Sequence, residues 1–271
     1  MSLLCLNGKF MPADQPLFTS SNRSFKWGDG IFETVRVSDS HILLQSFHFD
    51  RLFQSLQILG MKNTLSMEPQ TLAQNILALC KENACSAAAR VRLTVWRNEN
   101  NDADHLIEAW PLATAIGQWN NKGLSIGIYP FARKSQDAFA NLKTANYLPY
   151  VLADLYAAGE GLDEAIVLNG QNKIADASKA NIFLIRHGEI YTPSLSQGCI
   201  NGVMRRFLIE QLKLRGYPVH QTEIKEEELA GADEVFLTNA LYGMRWVASF
   251  GQHQYGHAQS FALYRELFQQ G

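Results

Sequence analysis

The stretch "NLKTANYLPYV", Asn141 to Val151, carries one ammonium, Lys143, and no further Arg, Lys, Asp or Glu until Asp154. A lysine amine becomes a nucleophile once it loses its proton, and desolvation among apolar groups lowers its pKa. An amine of that kind condenses with a carbonyl to give a Schiff base. On its own, Lys143 reads first as an ordinary surface lysine. Four other stretches hold groups of matching chemistry. In "HFDRLFQSL", Arg51 follows His48 by three residues and shares its helix face; its planar fork suits phosphate oxygens as well as it suits solvent. "NKIADASKANIFLI" sets Asp176 between apolar runs, as a turn cap or as the partner of a protonated ring nitrogen. "SQGCINGVMRRFLIEQL" is a Gly-bearing turn feeding a helix, whose free N–H groups can hold a phosphate or merely receive a cap. "EVFLTNALYGM" ends a strand at Thr238-Asn239-Ala240, where backbone N–H groups can face a ligand.

Other chemistries find less support. Asp29, Glu33, His41 and His48 match no metal-ligand spacing, so no metal site is expected. Ser20, Ser21 and Ser24 lack the GxSxG elbow of a serine hydrolase. "FKWGDGIFET" contains neither GxGxxG nor a Walker lysine, and reads as a tight turn at Gly28 and Gly30. The four cysteines, Cys5, Cys80, Cys85 and Cys199, show no CxxC spacing and fit reduced thiols. A net charge of -2 and a pI near 6.4 leave no basic field for nucleic acid or an anionic membrane. The opening "MSLLCLNGKFMPAD" has neither a basic start nor a long apolar core, and no apolar run reaches membrane-spanning length. A cytoplasmic protein is expected.

The elements that must position these groups are legible as hydrophobic periods. "LLCLNGKFMP" is a hairpin around Asn7-Gly8, and "GIFETVRVSDSHILLQ" alternates on both sides of Ser38-Asp39-Ser40. In "SFHFDRLFQSLQILGM" the spacing switches to helical, with Phe49, Leu52, Phe53, Leu56 and Leu59 on one face and Gly60 as a stop. "EPQTLAQNILALCKENA" is a second helix with Pro69 in its first turn. "ARVRLTVW" and "HLIEAWPLATAI" read as strands. Composition shifts around "GQWNNKG", which places a domain boundary there: residues 1–117, then 118–271. Beyond it the pattern predicts a strand "LSIGIYP", a helix from about Ala145 to Ala158, strands "EAIVLN", "NIFLIR" and "EIYTP", and a helix "GVMRRFLIEQLKLRG". Strands "YPVHQTEI", "EVFLTN" and "MRWVASF" and a last helix "AQSFALYRELFQQ" follow. Runs of strands with helices between them argue for two α+β, or mixed α/β, domains.

The order of the motifs says more than any one of them. "FKWGDGIFETVRV", "HFDRLFQSL", "LKTANYL", "DEAIVLN", "ASKANIFLI", "IYTPSLSQGCINGVMRR" and "ADEVFLTNAL", in that order across nearly the whole chain, resemble the class IV aminotransferases, the fold-type IV enzymes of pyridoxal 5'-phosphate (PLP). The resemblance implies a two-domain fold like that of D-amino-acid aminotransferase, with PLP as cofactor. It implies that Lys143 forms the Schiff base with PLP, that Arg51 binds its phosphate, and that Tyr147 bonds its ring oxygen as in some members. Val203 and Met204 match helix-start residues whose amides hold the phosphate, Asn239 and Ala240 match a second phosphate turn, and Asp176 stands where a glutamate usually faces the pyridine nitrogen. Met204 and Ala240 lack hydroxyls that relatives often carry there, so the phosphate grip would rest on Arg51 and backbone amides. The implied domains are an N-terminal one with Arg51 and a C-terminal one with Lys143. Within the family, "GCINGVMRRF" and "ADEVFLTNALYGMRWV" are most similar to aminodeoxychorismate lyase, which releases 4-aminobenzoate and pyruvate for folate synthesis. The alternatives are a branched-chain or D-amino-acid aminotransferase, and a PLP-binding protein without catalysis. Arg97, in "WRNENNDADH", is the nearest candidate for a substrate carboxylate, or else a solvated turn arginine. The resemblance further implies a homodimer acting on a small amino substrate.

Overall fold

The structure, a computed structural model, describes residues 2–113 and 115–269. It divides into two compact units, Met1–Ile116 with Leu142–Asn146, and Gly117–Asn141 with Tyr147–Gly271.

The first unit is an antiparallel sheet backed by helices. Its strands are β1 (Leu3–Leu6), β2 (Lys9–Pro12), β3 (Gly30–Ser38), β4 (His41–Ile42), β5 (Ala88–Arg97) and β6 (Ala103–Pro111), in the order β2-β1-β6-β5-β3-β4. Its α-helices are α1 (Arg23–Trp27), α2 (Gln45–Ile58) and α3 (Pro69–Glu82). The Asn7-Gly8 hairpin forms as expected, with both residues at positive φ and Leu6 opposite Lys9. In α3, Leu72, Ile76, Leu79 and Cys80 recur at helical spacing and are buried, each large aliphatic contributing roughly 1.5–3 kcal/mol. They pack with Val35, Val91, Leu93 and Ile107 of the sheet into one core. The buried face of α2 includes His48, Arg51 and Ser55 beside Phe49, Leu52 and Leu56, so three polar groups lie on the inner side of an otherwise apolar stripe.

The second unit is built on a mixed sheet. Its strands are β7 (Leu124–Lys134), β8 (Glu164–Asn169), β9 (Ile174–Ala177), β10 (Asn181–Arg186), β11 (Glu189–Pro193), β12 (Val219–Thr222), β13 (Glu234–Asn239), β14 (Gly243–Phe250) and β15 (His253–Gln254). The order is β12-β11-β10-β13-β14-β7-β8-β9, with β15 on β14. β11–β12, β14–β7 and β7–β8 are parallel and the other pairs antiparallel. Helices α4 (Leu148–Gly159), α5 (Val203–Leu214), α6 (Glu226–Ala230) and α7 (Ala258–Phe268) accompany it. Residues of β8 are buried throughout, as a strand covered on both faces requires. The mixed α+β architecture expected from the sequence is observed. Among the described residues, no helix is long and apolar enough to cross a membrane.

Candidate active site

Lys143 lies in the first unit, whereas the sequence reading gives it to the C-terminal domain. The reason is strand-like pairing. Phe32 N–H donates to Lys143 C=O at 2.9 Å, Ala145 N–H donates to Gly30 C=O at 2.8 Å, and Thr144 bridges Ile31. These backbone bonds hold the Lys143 segment against β3, so helix α4 starts at Leu148 and not near Ala145. The close approach needs glycines. Gly28 sits at φ 67° and a Cβ there would overlap the Asn146 side chain of the Lys143 segment, while a Cβ on Gly30 would stand 2.6 Å from Val95 C=O of β5. Lys143 is half-buried, with its Nζ 4.6 Å from the centroid of the Phe32 ring. The guanidinium carbon of Arg92 stands 3.9 Å from the same ring.

Arg51 does dock an anion, and that anion is a side chain of its own unit. Its Nε donates to Glu33 Oε1 at 2.7 Å and its Nη2 to Glu33 Oε2 at 2.5 Å, while His48 Nδ1 lies 2.6 Å from Oε2. All three side chains are buried. Burial pushes the Glu33 carboxyl up, but the Arg51 charge and the His48 hydrogen bond overcome it and bring the pKa to about 2. In the sequence Glu33 enters only as part of a metal set, and nothing there marks it as the residue that holds Arg51 in place.

Arg97 is engaged by the fold. Its Nε bonds Asp29 Oδ2 at 3.0 Å, its Nη2 bonds Leu59 C=O at 2.8 Å, and its Nη1 reaches Asn101 Oδ1 and Gly60 C=O. Asp29 also accepts from Arg23. The Arg97 guanidinium thereby braces the turn after α2 to the start of β3, and it offers little to a substrate carboxylate.

The second unit gathers Asp176, the start of α5 and the turn after β13. Asp176 lies on β9, opposite Val167 of β8, and is 2% exposed. The sequence reading sets it between strands; β9 itself is too short and too polar to announce itself. Three donors serve the carboxylate. Tyr150 O–H reaches Oδ2 at 2.6 Å, Ile200 N–H reaches Oδ2 at 2.8 Å, and Asn181 Nδ2 reaches Oδ1 at 2.7 Å. Burial raises the Asp176 carboxyl, and these bonds, with the charges of Lys134 and Arg205, only partly offset it. The Tyr150 phenol is pushed well above its ordinary pKa by burial and by the Asp176 charge, so it acts as a donor. Tyr147 stacks on Tyr150 with ring centroids 4.6 Å apart.

The loop "QGCING" carries Ile200 and leads into α5. Asn141, two residues before Lys143 in the chain, fixes that loop by donating from Nδ2 to Leu195 and Cys199 C=O and accepting from Asn201 N–H at its own C=O. Helix α5 starts at Val203 after Gly202 with no side-chain cap, so its first-turn N–H groups are offered rather than consumed by a side chain. Val203 and Met204 are buried there. In the turn after β13, Asn239 Oδ1 accepts from Leu241 and Tyr242 N–H, so the side chain builds the turn, and Ala240 is half-buried beside it. One residue before Asn239, the buried Thr238 hydroxyl has no hydrogen-bond partner among the described residues.

These residues fit PLP by their donor and acceptor chemistry. A carboxylate has about four acceptor positions, and Asp176 uses three, two on Oδ2 and one on Oδ1. A protonated pyridine nitrogen needs one such position on a buried carboxylate. An uncapped helix start suits a phosphate. Among the described residues no group of three or more His, Cys, Asp or Glu is placed to hold a metal ion.

A family model for amino-transferase class IV matches residues 30–250. A putative branched-chain-amino-acid aminotransferase of Methanocaldococcus jannaschii is 26% identical over 86% of this chain and 82% of its own. An aminodeoxychorismate lyase of Vibrio harveyi is also 26% identical, over 82% of this chain and 83% of its own. The structure of a branched-chain aminotransferase from the thermophilic archaeon Thermoproteus uzoniensis, with norvaline, superimposes with a TM-score of 0.87 at 21% identity, covering 98% of this chain and 93% of the other.

Proposed function

We propose that this chain, which belongs to the class IV aminotransferase family of PLP-dependent aminotransferases and lyases, is a 4-amino-4-deoxychorismate lyase. Asp176 carries the cofactor reading, because a buried carboxylate with one acceptor position to spare is what a protonated ring nitrogen requires. Bound PLP supplies a carbonyl that condenses with amines and a ring that takes up electrons. The chain's own residues do the rest. Lys143 holds the cofactor through its amine and, once the substrate amine has displaced it, serves as the general base. Asp176 keeps the ring-nitrogen proton in place. The amides of Val203 and Met204, those of Asn239 and Ala240, and Arg51 hold the phosphate. Tyr147 serves the ring oxygen.

The lyase assignment rests on the turns. Asn239 spends its carboxamide oxygen on the turn and its nitrogen on Lys179 C=O, and Ala240 and Met204 bring no hydroxyl. In the lyase reaction Lys143 would take a ring proton, the C–O bond to the enolpyruvyl group would break to leave 4-aminobenzoate, and the proton would pass to the departing enolpyruvate to give pyruvate. The second reading, a branched-chain or D-amino-acid aminotransferase, is favoured by relatives such as the M. jannaschii protein at equal identity. Release of pyruvate and 4-aminobenzoate, assayed beside transamination of a panel of amino acids with 2-oxoglutarate, separates the two. Transamination with no 4-aminobenzoate overturns the lyase. Lys143→Ala is expected to abolish the visible cofactor band, and its retention would overturn the cofactor role of Lys143.

The active form is a homodimer in this reading. Helix α4 supports it: Leu148, Val151, Leu152 and Leu155 recur at i, i+3, i+4 and i+7 on its outer side, all exposed, while Tyr150, Ala153 and Ala157 face inward. A helix apolar on both sides is built to be covered on both. Exposed Phe131, 6.0 Å from Tyr156 between ring centroids, extends the stripe. Together they form a contiguous exposed apolar stripe of the kind a partner subunit covers.

A further inference from the structure

We propose that Tyr150 is a positioning residue for Asp176, selecting which carboxylate oxygen meets the cofactor's ring nitrogen and keeping the carboxylate charged; this rests on the PLP reading above. The observation is the unequal loading of the two oxygens. Oδ2 takes Tyr150 O–H at 2.6 Å and Ile200 N–H at 2.8 Å, which fills its two acceptor positions. Oδ1 takes Asn181 Nδ2 alone. The carboxylate cannot rotate without giving up two good hydrogen bonds in a buried site, where an unmade bond is costly. Oδ1 is thereby fixed as the oxygen with capacity for one more donor.

The carboxylate needs this support. An aspartate is one methylene shorter than a glutamate, so its placement depends on the backbone of β9 and on lateral bonds. The support is itself held. Tyr150 lies in the first turn of α4, stacked on Tyr147. Asn181 spends its second N–H on Ile200 C=O at 2.8 Å, tying strand β10 to the loop that supplies the Ile200 donor. The charged and titratable groups around the carboxylate are Lys134, Arg205, Cys199 and the two tyrosines. Lys134 anchors its ammonium on Ala140 C=O at 2.7 Å and stands 5.6 Å from the centroid of the Tyr150 ring. Arg205 donates to Pro193 C=O and Gln221. Both cations favour the ionised carboxylate, while burial and a charged Cys199 oppose it. Cys199 stays a thiol, because burial pushes its pKa to about 12.

The consequence concerns one shared proton. Donors on Asp176 lower its proton affinity, so the proton stays on the ring nitrogen, where it strengthens electron withdrawal. Removing the Tyr150 hydroxyl moves that proton toward the carboxylate. The nitrogen joining the cofactor to Lys143 then becomes more basic, and the pH midpoint of the visible cofactor band rises.

The test uses the PLP-loaded enzyme and reads that midpoint and PLP affinity alongside thermal stability. Tyr150→Phe is expected to raise the midpoint by about one unit, the scale of one hydrogen bond to a charged group. Asp176→Asn is expected to raise it further. Lys134→Met, which leaves the hydroxyl in place, is expected to raise it by less, and Tyr150→Leu, which also removes the hydroxyl, carries the test if Tyr150→Phe does not fold. A lowered melting temperature in Tyr150→Phe with an unmoved midpoint makes Tyr150 a packing residue only and overturns the proposal. An unmoved midpoint in a folded Lys134→Met and in Tyr150→Phe, with a shift in Asp176→Asn, overturns it while leaving the PLP reading standing. A midpoint indifferent to Asp176→Asn overturns the assignment of Asp176 and the proposal with it.

Discussion

Glu33→Gln is the substitution whose effect follows most directly from the structure. The folded protein holds the pKa of this buried carboxylate at about 2 against an ordinary 4.5, although burial pulls the other way. That difference corresponds to about 3 kcal/mol of folding stability at neutral pH, at about 1.36 kcal/mol per unit. The sign is fixed by linkage. The folded pKa is depressed, so the stabilisation is fully present above pH 4.5 and fades as the pH falls toward 2. Gln keeps the shape and removes the charge, which leaves the buried Arg51 guanidinium without this anion. Urea denaturation of parent and variant at pH 7 is therefore expected to show a loss of about 3 kcal/mol, and the gap is expected to hold at pH 5 and to narrow at pH 4 and 3. Equal stability at pH 7, or a gap that does not change with pH, would refute the reasoning. The same variant reports on function: if Glu33 orients Arg51 toward phosphate, PLP affinity falls in Glu33→Gln at pH 7.

Three further outcomes are expected. His105 is buried on β6 with neither ring nitrogen hydrogen-bonded among the described residues, and burial lowers its pKa to about 4, so the folded state resists the proton that the unfolded chain binds. Stability should fall by about 3 kcal/mol between pH 6.5 and 4 for this reason, and His105→Leu should flatten that limb of the melting-temperature profile. A Cβ at position 202 would overlap Asn181 Oδ1, so Gly202→Ala should displace the Asn181 amide from Asp176, costing about 1–3 kcal/mol and weakening PLP binding measured by equilibrium titration. Leu152→Glu with Leu155→Glu should shift sedimentation from dimer to monomer without unfolding α4, and an unchanged dimer would place the interface elsewhere.

Periodicity alone was enough for much of the fold. The Asn7-Gly8 hairpin, the buried stripes of α2 and α3, and strands β8, β10, β13 and β14 follow from local signals that tertiary packing then reinforced. The misses share a cause. The sequence around Ala145 reads as helix, but the Ala145 N–H and the Lys143 carbonyl are claimed by β3, a partner more than a hundred residues earlier that no local window contains. β9 escaped because four residues with a charge in the middle carry no period. Of the residues proposed to hold the cofactor, Lys143, Arg51 and Asp176 were legible as residue types in order. Tyr150 and Asn141 were not, because each acts through a hydrogen bond to a segment distant in the chain; Asn181 was not, although Asp176 lies only five residues away, because nothing in a Tyr or Asn marks the partner it will find.

The motif "GDGIFE" illustrates what a residue type leaves undecided. As sequence, Arg51 is a candidate for phosphate and Arg97 for a substrate carboxylate, and Asp29 and Glu33 are two acids near a turn. The fold assigns them in pairs. Asp29, before β3, takes Arg23 and Arg97; Glu33, four residues on, takes Arg51 and His48. The pairs differ in how they hold the guanidinium. Arg97 has carbonyl and carboxamide acceptors on both terminal nitrogens besides Asp29, so it braces a turn. Arg51 is gripped through Nε and Nη2 by a carboxylate that burial would otherwise neutralise, which fixes the plane of its fork. A fixed, charged fork is what phosphate recognition demands. The same short motif thus separates a strut from an oriented cation, and the glycines that read as a simple turn serve to bring both carboxylates, and the Lys143 backbone, to one end of β3.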